Sequence, residues 1–340
     1  MTPLVLYFLA FVCVDAVDTD IGLFNLRQRS NDKGAWETYL RTSTKNGKDL
    51  DNSIFASVFS ARMNVARRNM TRFLWERKDN SNLKPAFKEA SVMSFAVCKY
   101  PPATGEEKWV GENLRGEALL FNDIDFLDCH EGQGFGQMRE KAVKAMRSFY
   151  ADKNNNQKLF LHIEDDTFVP WNRLWVVLNT LGDLSHLYMG EEIPEGKAVN
   201  RDKQSLFYQP EAIYSPSSYP KHMARHCIIL GRQLVSDMIE SNIMDRMPLT
   251  NLDQSFGVWA DELKKSGANV EILPFDPPTK NPDGFQIHYS ACGEKWSRYP
   301  FLWQHGLKFE NMQCLGAFDA AEHDDSIPLD TCLSDCNAVR

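Results

Sequence analysis

The segment that most constrains the fold occupies residues 158–178 and reads KLFLHIEDDTFVPWNRLWVVL. Its apolar stretch at residues 159–163 predicts a short buried strand, and Pro170 marks the first turn of a following helix. Between them stand three consecutive carboxylates, Glu164, Asp165 and Asp166. Open α/β sheets bind ligands beyond the carboxyl ends of their strands. The segment therefore predicts an α/β fold with a ligand site where this strand ends.

Three adjacent acids at the end of a buried strand form a cluster of like charge. A divalent cation that prefers oxygen ligands, such as Mn²⁺ or Mg²⁺, would hold such a cluster together. In a chain of formal net charge −8, this cation would also allow an acidic protein to bind an anionic diphosphate. The alternative interpretation is a solvated acidic turn without a ligand.

Length and charge narrow the class of protein. The 340 residues, 43% of them hydrophobic, can bury a large core in one α/β domain or two smaller ones. The net charge of −8 and a pI near 5.6 argue against a nucleic-acid-binding protein held by phosphate contacts.

The N-terminus carries an apolar run from Leu4 to Val14 that is too short for an ordinary membrane-spanning helix. It fits the core of a signal peptide, with small residues near Ala16 as a cleavage site. Residues 1–16 are therefore predicted to be a signal peptide, or alternatively a short uncleaved anchor in the membrane. Both interpretations place the protein in the secretory pathway, in the Golgi or ER lumen or secreted.

The cysteines are consistent with that compartment. Seven of the eight follow residue 16, and in a lumenal protein they predict disulfides with one thiol left over. Zinc binding is the alternative, but the sequence has no CxxC pair. Asn69 begins the single N-glycosylation sequon.

Residues 17–50 are polar and show no sustained pattern, which is typical of a stem or linker. From residue 51 onward, strand and helix patterns alternate, so residues 51–310 are predicted to form one α/β domain with a mostly parallel sheet. Residues 311–340 form a cysteine-containing tail. The predicted strands lie at 54–60, 91–98, within 119–127, and at 159–163, 186–190, 225–230 and 270–273. The predicted helices lie at 61–76, 136–152, 234–242 and 252–267, in addition to the one that begins near Pro170.

The glycine-rich segment HEGQGFGQMREK at residues 130–141 superficially resembles a dinucleotide-binding loop. Its spacing is GxGxG rather than GxGxxG, and no acidic residue ends a strand about twenty positions later. A nicotinamide or flavin cofactor is therefore not expected.

Several motifs occur together in a fixed order along most of the chain. SARMNVARRNMTRFLW at 60–75 resembles an RRxxxRxTW motif, and HIEDDTFV at 162–169 resembles TDDDxFV. LDQSFGVW at 252–259 falls on EDVYVG, and IHYSACGEKWSRY at 287–299 falls on VHSRxPxxMxxxW. In this order and spacing the chain resembles glycosyltransferase family 31, the β-1,3-galactosyl-, N-acetylglucosaminyl- and fringe-type transferases.

This resemblance implies a GT-A type nucleotide-sugar-binding fold and an inverting, metal-dependent hexosyltransferase. The donor would be a UDP-sugar and the acceptor a glycan or glycoprotein, with transfer of a hexose or N-acetylhexosamine in β-1,3 linkage. The sequence does not indicate which donor sugar, acceptor or oligomeric state applies.

Candidate site residues follow from the same match. Asp166 and His288 would bind Mn²⁺ or Mg²⁺, and Asp253 would be the general base that takes a proton from the acceptor hydroxyl. The donor nucleotide sugar would contact Arg67, Arg68, Arg72, Glu164 and Asp165. Each has a simpler alternative: Asp253 complements a helix dipole, His288 is an ordinary core or surface histidine, and the arginines line a solvated helix face.

The chain also departs from the family pattern. Arg225, His226 and Cys227 replace three glycines, and Leu252 replaces a glutamate. We therefore expect a divergent member whose sugar pocket differs from its relatives. The alternative function is a catalytically inactive transferase fold that binds glycans or chaperones a partner.

Overall fold

The computed structural model describes residues 53–77, 91–132, 134–152, 156–169 and 183–275, together with five isolated positions, 171, 174, 178, 181 and 312. The predicted signal segment, the stem, almost all of the tail and His288 lie outside these residues. The strands are β1 Ile54–Phe59, β2 Val92–Tyr100, β3 Ile124–His130, β4 Leu159–Glu164, β5 Leu187–Ile193, β6 His222–Gly231 and β7 Glu271–Phe275. The helices are α1 Val65–Arg77, α2 Lys108–Phe121, α3 Phe135–Ala151, α4 Arg232–Glu240, α5 Ile243–Arg246 and α6 Leu252–Lys265.

The seven strands form one sheet in the order β3-β2-β1-β4-β6-β5-β7. Six of them run in the same direction, and β6 runs antiparallel to both of its neighbours. The prediction of a mixed α/β domain with a mostly parallel sheet is thereby confirmed. Because β6 is reversed, its first residues lie at the edge where the other strands end.

The central strand β4 is apolar except for His162 and its last residue, Glu164, because both faces of the sheet are covered. Leu159, Leu161 and Ile163 pack in the core on one face. Phe160 packs in a second core on the opposite face, together with apolar residues of α3, α4 and α6. Such two-sided burial is what turns the sequence of a strand into a nearly continuous apolar run.

The helix α2 is not among the predicted helices, and the strand predicted within 119–127 begins after the apolar pair at 119–120. In the structure Leu119 and Leu120 are helical and exposed, and β3 begins at Ile124. Only a narrow face of α2 is buried, through Val110 and Leu114 among others. The hydrophobic pattern was misleading because these two leucines do not mark a core-facing element.

A disulfide joins Cys98 on β2 to Cys129 on β3, whereas Cys227 on β6 is a free, buried thiol. Prediction of a disulfide is thus confirmed, while the four later cysteines lie outside the described residues. Within the part of the chain that the structure describes, no helix is long and apolar enough to cross a membrane.

Candidate functional site

The three acids lie at the carboxyl edge of the sheet, in its centre. The ends of β1 and β4 are in register, with Phe59 opposite Glu164. The backbone N–H of Asp165 donates a hydrogen bond of 3.0 Å to the Phe59 carbonyl, which continues the pairing one residue past the strand. A further hydrogen bond of 3.0 Å, from the Thr167 N–H to the Glu164 carbonyl, closes the turn. The backbone therefore fixes where each carboxylate points.

Asp165 is buried and is bound by the start of α1. Asn64, which immediately precedes the helix, donates through Nδ2 to Asp165 Oδ2 at 3.0 Å. Arg67 donates through Nη1 to the other carboxylate oxygen, Oδ1, at 3.1 Å. The amino end of α1, which is the positive end of its dipole, therefore lies against this carboxylate.

Asp166 shares the same cation. Arg67 Nη1 lies 3.5 Å from Asp166 Oδ2 as well as 3.1 Å from Asp165 Oδ1. A single guanidinium nitrogen thus stands between two carboxylates, and 41% of the Arg67 side chain is exposed. The arrangement places a positive charge where the two acids converge.

Glu164 faces the other way, towards β6. Arg225 Nε lies 3.0 Å from Glu164 Oε1, and His226 Nδ1 lies 4.0 Å from Oε2. The Arg225 guanidinium also lies over the ring of Phe135 at the start of α3, 5.5 Å from its centroid. Two residues that replace expected glycines therefore contact the first acid of the triplet.

The acids fit a divalent cation that is partly bound by substrate. Within the described ranges, no group of three or more His, Cys, Asp or Glu side chains forms a metal site. Magnesium-type ions, however, commonly use one or two carboxylates together with substrate phosphates. Asp166, whose side chain is partly exposed, could supply one such carboxylate, whereas both oxygens of Asp165 already accept hydrogen bonds from Asn64 and Arg67. The second predicted ligand, His288, lies outside the described residues.

The three arginines of α1 have different environments. Arg68 is fully buried and forms two hydrogen bonds with Glu117 of α2, at 2.8 and 2.7 Å. Arg72 is also buried and contacts Glu117 at 2.8 Å and Asp123 at 2.6 Å. These contacts join α1 to α2, and of the three only Arg67 reaches the acids of β4.

Glu117 illustrates how strongly these charges are coupled. Burial alone would raise the pKa of this carboxyl, but the hydrogen bonds and charges of Arg68 and Arg72 outweigh burial and lower it. Glu117 is therefore ionised in the neutral range, and its contacts with the two arginines act as a structural connection.

Asp253 lies in the first turn of α6, which packs against the start of β6. Its negative charge acts on the buried His222. Gly257, one turn later on α6, touches His222 and places that end of the helix at the same sheet edge as the acid triplet. Asp253 Oδ1 is buried and has no hydrogen-bond partner in the described part of the chain. A buried carboxylate oxygen without a partner is uncommon and favours a role with a ligand.

Sequence reasoning missed two buried histidines near the site. His222 is bonded through Nδ1 to the Pro220 carbonyl at 2.9 Å, so Nδ1 carries the hydrogen and Nε2 is an acceptor. Burial lowers the pKa of His222, with the Pro220 carbonyl and the Asp253 charge opposing that shift. Burial likewise lowers the pKa of His162 on β4 to about 4. His162 was identifiable as the one polar residue inside an apolar strand, whereas nothing local distinguishes His222.

A family model described as galactosyltransferase matches residues 66–271. The match includes the acid triplet, the Arg225 segment and Asp253, and spans well over half of the chain. The chain belongs to the galactosyltransferase family, the β-1,3-galactosyltransferases of glycosyltransferase family 31. No curated protein gives a significant match to the chain. Membership supports a glycosyltransferase and gives the acids of β4 a functional context.

Proposed function

We propose that this protein is an inverting, metal-dependent glycosyltransferase that transfers a hexose or N-acetylhexosamine from a UDP-sugar to a glycan or glycoprotein hydroxyl, in β-1,3 linkage. The observation that carries the proposal is the presence of Asp166 and Asp253 at one edge of the sheet, inside a galactosyltransferase domain. The sheet order and the single reversed strand also support a GT-A type fold.

The donor diphosphate would lie beyond the carboxyl end of β4. Asp166, assisted by Asp165 and by His288 from outside the described residues, would hold Mn²⁺ or Mg²⁺. This ion supplies positive charge to a leaving diphosphate. The exposed part of Arg67 faces the same space and would contact the donor, while Glu164 would help to orient its ribose or sugar. Arg68 and Arg72 would act indirectly, by holding α1 against α2.

Asp253 would be the general base. An inverting transfer needs a base that removes the proton of the acceptor hydroxyl as it attacks the anomeric carbon from the side opposite the diphosphate. The unpartnered Oδ1 of Asp253 is an acceptor that a hydroxyl donor could satisfy. The free acceptor Nε2 of His222, on the strand that packs against this helix, adds a second position for a hydroxyl group.

We further propose that the protein acts in the secretory pathway, in the Golgi or ER lumen or after secretion. The disulfide between Cys98 and Cys129 supports an oxidising compartment. The signal or anchor at residues 1–16 remains part of this proposal.

The deciding experiment is incubation of the purified full chain with UDP-galactose, UDP-GlcNAc, UDP-GalNAc and UDP-glucose in the presence of Mn²⁺, followed by measurement of UDP release. Release from at least one donor, raised by a glycan acceptor, is the expected result. UDP binding without turnover on any donor or acceptor would instead favour the inactive glycan-binding alternative. Absence of UDP binding with and without Mn²⁺ would exclude a UDP-sugar donor.

A further inference from the structure

We infer that Arg225 is a donor-binding residue, and that Arg225 and Arg67 together bind the donor diphosphate so that part of the affinity for UDP does not depend on a divalent cation. The inference rests on the proposed function, since it assigns residues to the donor site of that reaction. It concerns a position at which this chain has an arginine where the family pattern that it resembles has glycine.

The first support is the way in which Arg225 is held. Its contact with Glu164 is an ion pair made through Nε, the inner edge of the guanidinium, at 3.0 Å and without hydrogen-bond geometry. No hydrogen bond of Nη1 or Nη2 occurs among the described residues, and 30% of the side chain is exposed. An arginine oriented by its inner nitrogen presents its outer fork to a ligand, and that fork matches phosphate oxygens.

The second support is rigidity. The guanidinium lies over the Phe135 ring, 5.5 Å from the centroid, and that ring packs on Phe207 at 4.6 Å. The cation–π contact and the ion pair with Glu164 fix the side chain from two directions. Part of the conformational entropy that a long side chain loses on binding is therefore already lost before the ligand arrives.

The third support is the position of the second arginine. Arg67 contacts Asp165 and Asp166 from α1, whereas Arg225 contacts Glu164 from β6 on the opposite side of β4. Arg67 also uses one nitrogen, Nη1, for both of its acids. Two partly exposed guanidinium groups thus flank the end of β4, where a diphosphate with two phosphate groups would lie.

Charge explains why the arginines would reduce the need for a metal without replacing it. The three carboxylates carry three negative charges and the two arginines that contact them carry two positive ones, so these five side chains together carry one net negative charge. A diphosphate is still repelled by that remainder, so Mn²⁺ should strengthen binding. Without the arginines the repulsion would be far larger, and binding without metal would be lost.

The test is calorimetric titration of UDP into the full chain, in EDTA and in Mn²⁺. The wild-type protein should bind UDP weakly in EDTA and more tightly in Mn²⁺. Arg225→Gln should lower the affinity in EDTA by roughly tenfold to a hundredfold, the usual effect of removing a hydrogen bond to a charged group. Arg225→Lys, which keeps the charge but loses the fork, should fall between the two.

A matched control removes the same charge elsewhere. Arg246 is exposed on α5, and Arg246→Gln should leave UDP affinity unchanged in both buffers. Circular dichroism melting of each variant would verify that the fold is retained.

The outcomes separate this inference from the proposed function. If Arg225→Gln binds UDP in EDTA as well as the wild-type protein does, Arg225 is not a donor ligand and the inference is wrong. If Arg225→Gly raises affinity, the arginine obstructs the site, which also overturns it. If the wild-type protein binds no UDP in either buffer, the proposed function itself fails.

Discussion

Gly257 on α6 lies directly against His222 on β6, and a Cβ atom at Gly257 would come within 2.4 Å of the His222 Cβ. It would also lie 3.0 Å from the Lys221 carbonyl oxygen. Real Cβ atoms do not approach backbone and neighbouring Cβ atoms so closely, so only glycine allows the helix to pack here. This close approach fixes the first turn of α6, and with it Asp253, against the reversed strand.

We therefore expect Gly257→Ala to push α6 away from the sheet. It should lower the free energy of unfolding by roughly 1–3 kcal/mol, the usual effect of overpacking, and reduce turnover by displacing Asp253. Chemical denaturation and UDP release would measure the two effects.

The matched control is Gly116→Ala on α2, where a Cβ would meet no atom within 4 Å. That variant should be more stable by about 0.5–1 kcal/mol, because glycine weakens a helix interior.

The general base can be tested by a change that preserves shape. Asp253→Asn should lower turnover by roughly a hundredfold or more while leaving UDP binding nearly intact, since an amide cannot accept the hydroxyl proton. The control is Asp261→Asn on the same helix, where the carboxylate is paired with Lys265 at 2.7 Å. A near wild-type rate for Asp253→Asn, or a large loss for Asp261→Asn, would move the base to another residue.

The metal can be tested through binding alone. Asp166→Ala should remove the increase in UDP affinity that Mn²⁺ produces, because Asp166 is the expected metal ligand nearest the open edge. Calorimetry with and without Mn²⁺ would measure the increase directly. Asn64→Ala, which removes a hydrogen bond to Asp165, should reduce that increase only in part. An undiminished Mn²⁺ effect in Asp166→Ala would show that the ion binds elsewhere.

The connection between α1 and α2 predicts an effect on stability. Glu117→Gln should lower the free energy of unfolding by about 3 kcal/mol, because it leaves two buried guanidinium groups without their shared carboxylate. Glu112→Gln on the same helix is the control. Glu112 is exposed and pairs with Lys108 at 3.4 Å, so its loss should change stability by less than about 0.5 kcal/mol. Equal effects of the two variants would contradict a structural role for the buried network.

The end of β4 could be predicted because its signal is local. An apolar run that stops at three acids is visible within eight residues, and the structure places the acids where the pattern indicates. The groups that bind the acids could not be predicted in the same way. Arg67 and Arg225 lie on elements that reach β4 only through the sheet order, in which β1 and β6 are its neighbours.

The spacing of residues along a helix likewise predicted only part of their environment. Arg68 and Arg72, four residues apart on α1, were expected to share a face, and in the structure both contact Glu117. The sequence did not indicate that this face is buried against α2, because α2 itself was not recognised. Its pattern was dominated by Leu119 and Leu120, whose exposure no local rule anticipates.

The last prediction concerns the contribution of His162 to the pH dependence of stability. The ring is fully buried between Phe59 and Phe256, and burial lowers its pKa from the usual 6.5 to about 4. The unfolded chain therefore binds a proton at His162 between pH 6.5 and 4, while the folded protein does not. A histidine whose pKa is lowered in the folded state contributes stability above pH 6.5, and this contribution is lost as the pH falls towards 4.

Between pH 7 and pH 5 the free energy of unfolding should thus fall by about 2 kcal/mol on account of His162. Glu117 and His222, whose pKa values are also lowered, add to the same trend, so the wild-type slope alone does not isolate this ring. His162→Leu places an apolar side chain at this position in the strand. Between pH 7 and pH 5, the free energy of unfolding of this variant should fall by about 2 kcal/mol less than that of the wild-type protein. His130→Gln, a change at an exposed histidine, is the control variant. Urea denaturation at pH 5, 6 and 7 would measure all three proteins. Parallel slopes for the wild-type protein and His162→Leu would mean that the folded protein accepts the proton, and that the ring is not held neutral beside the acids of β4.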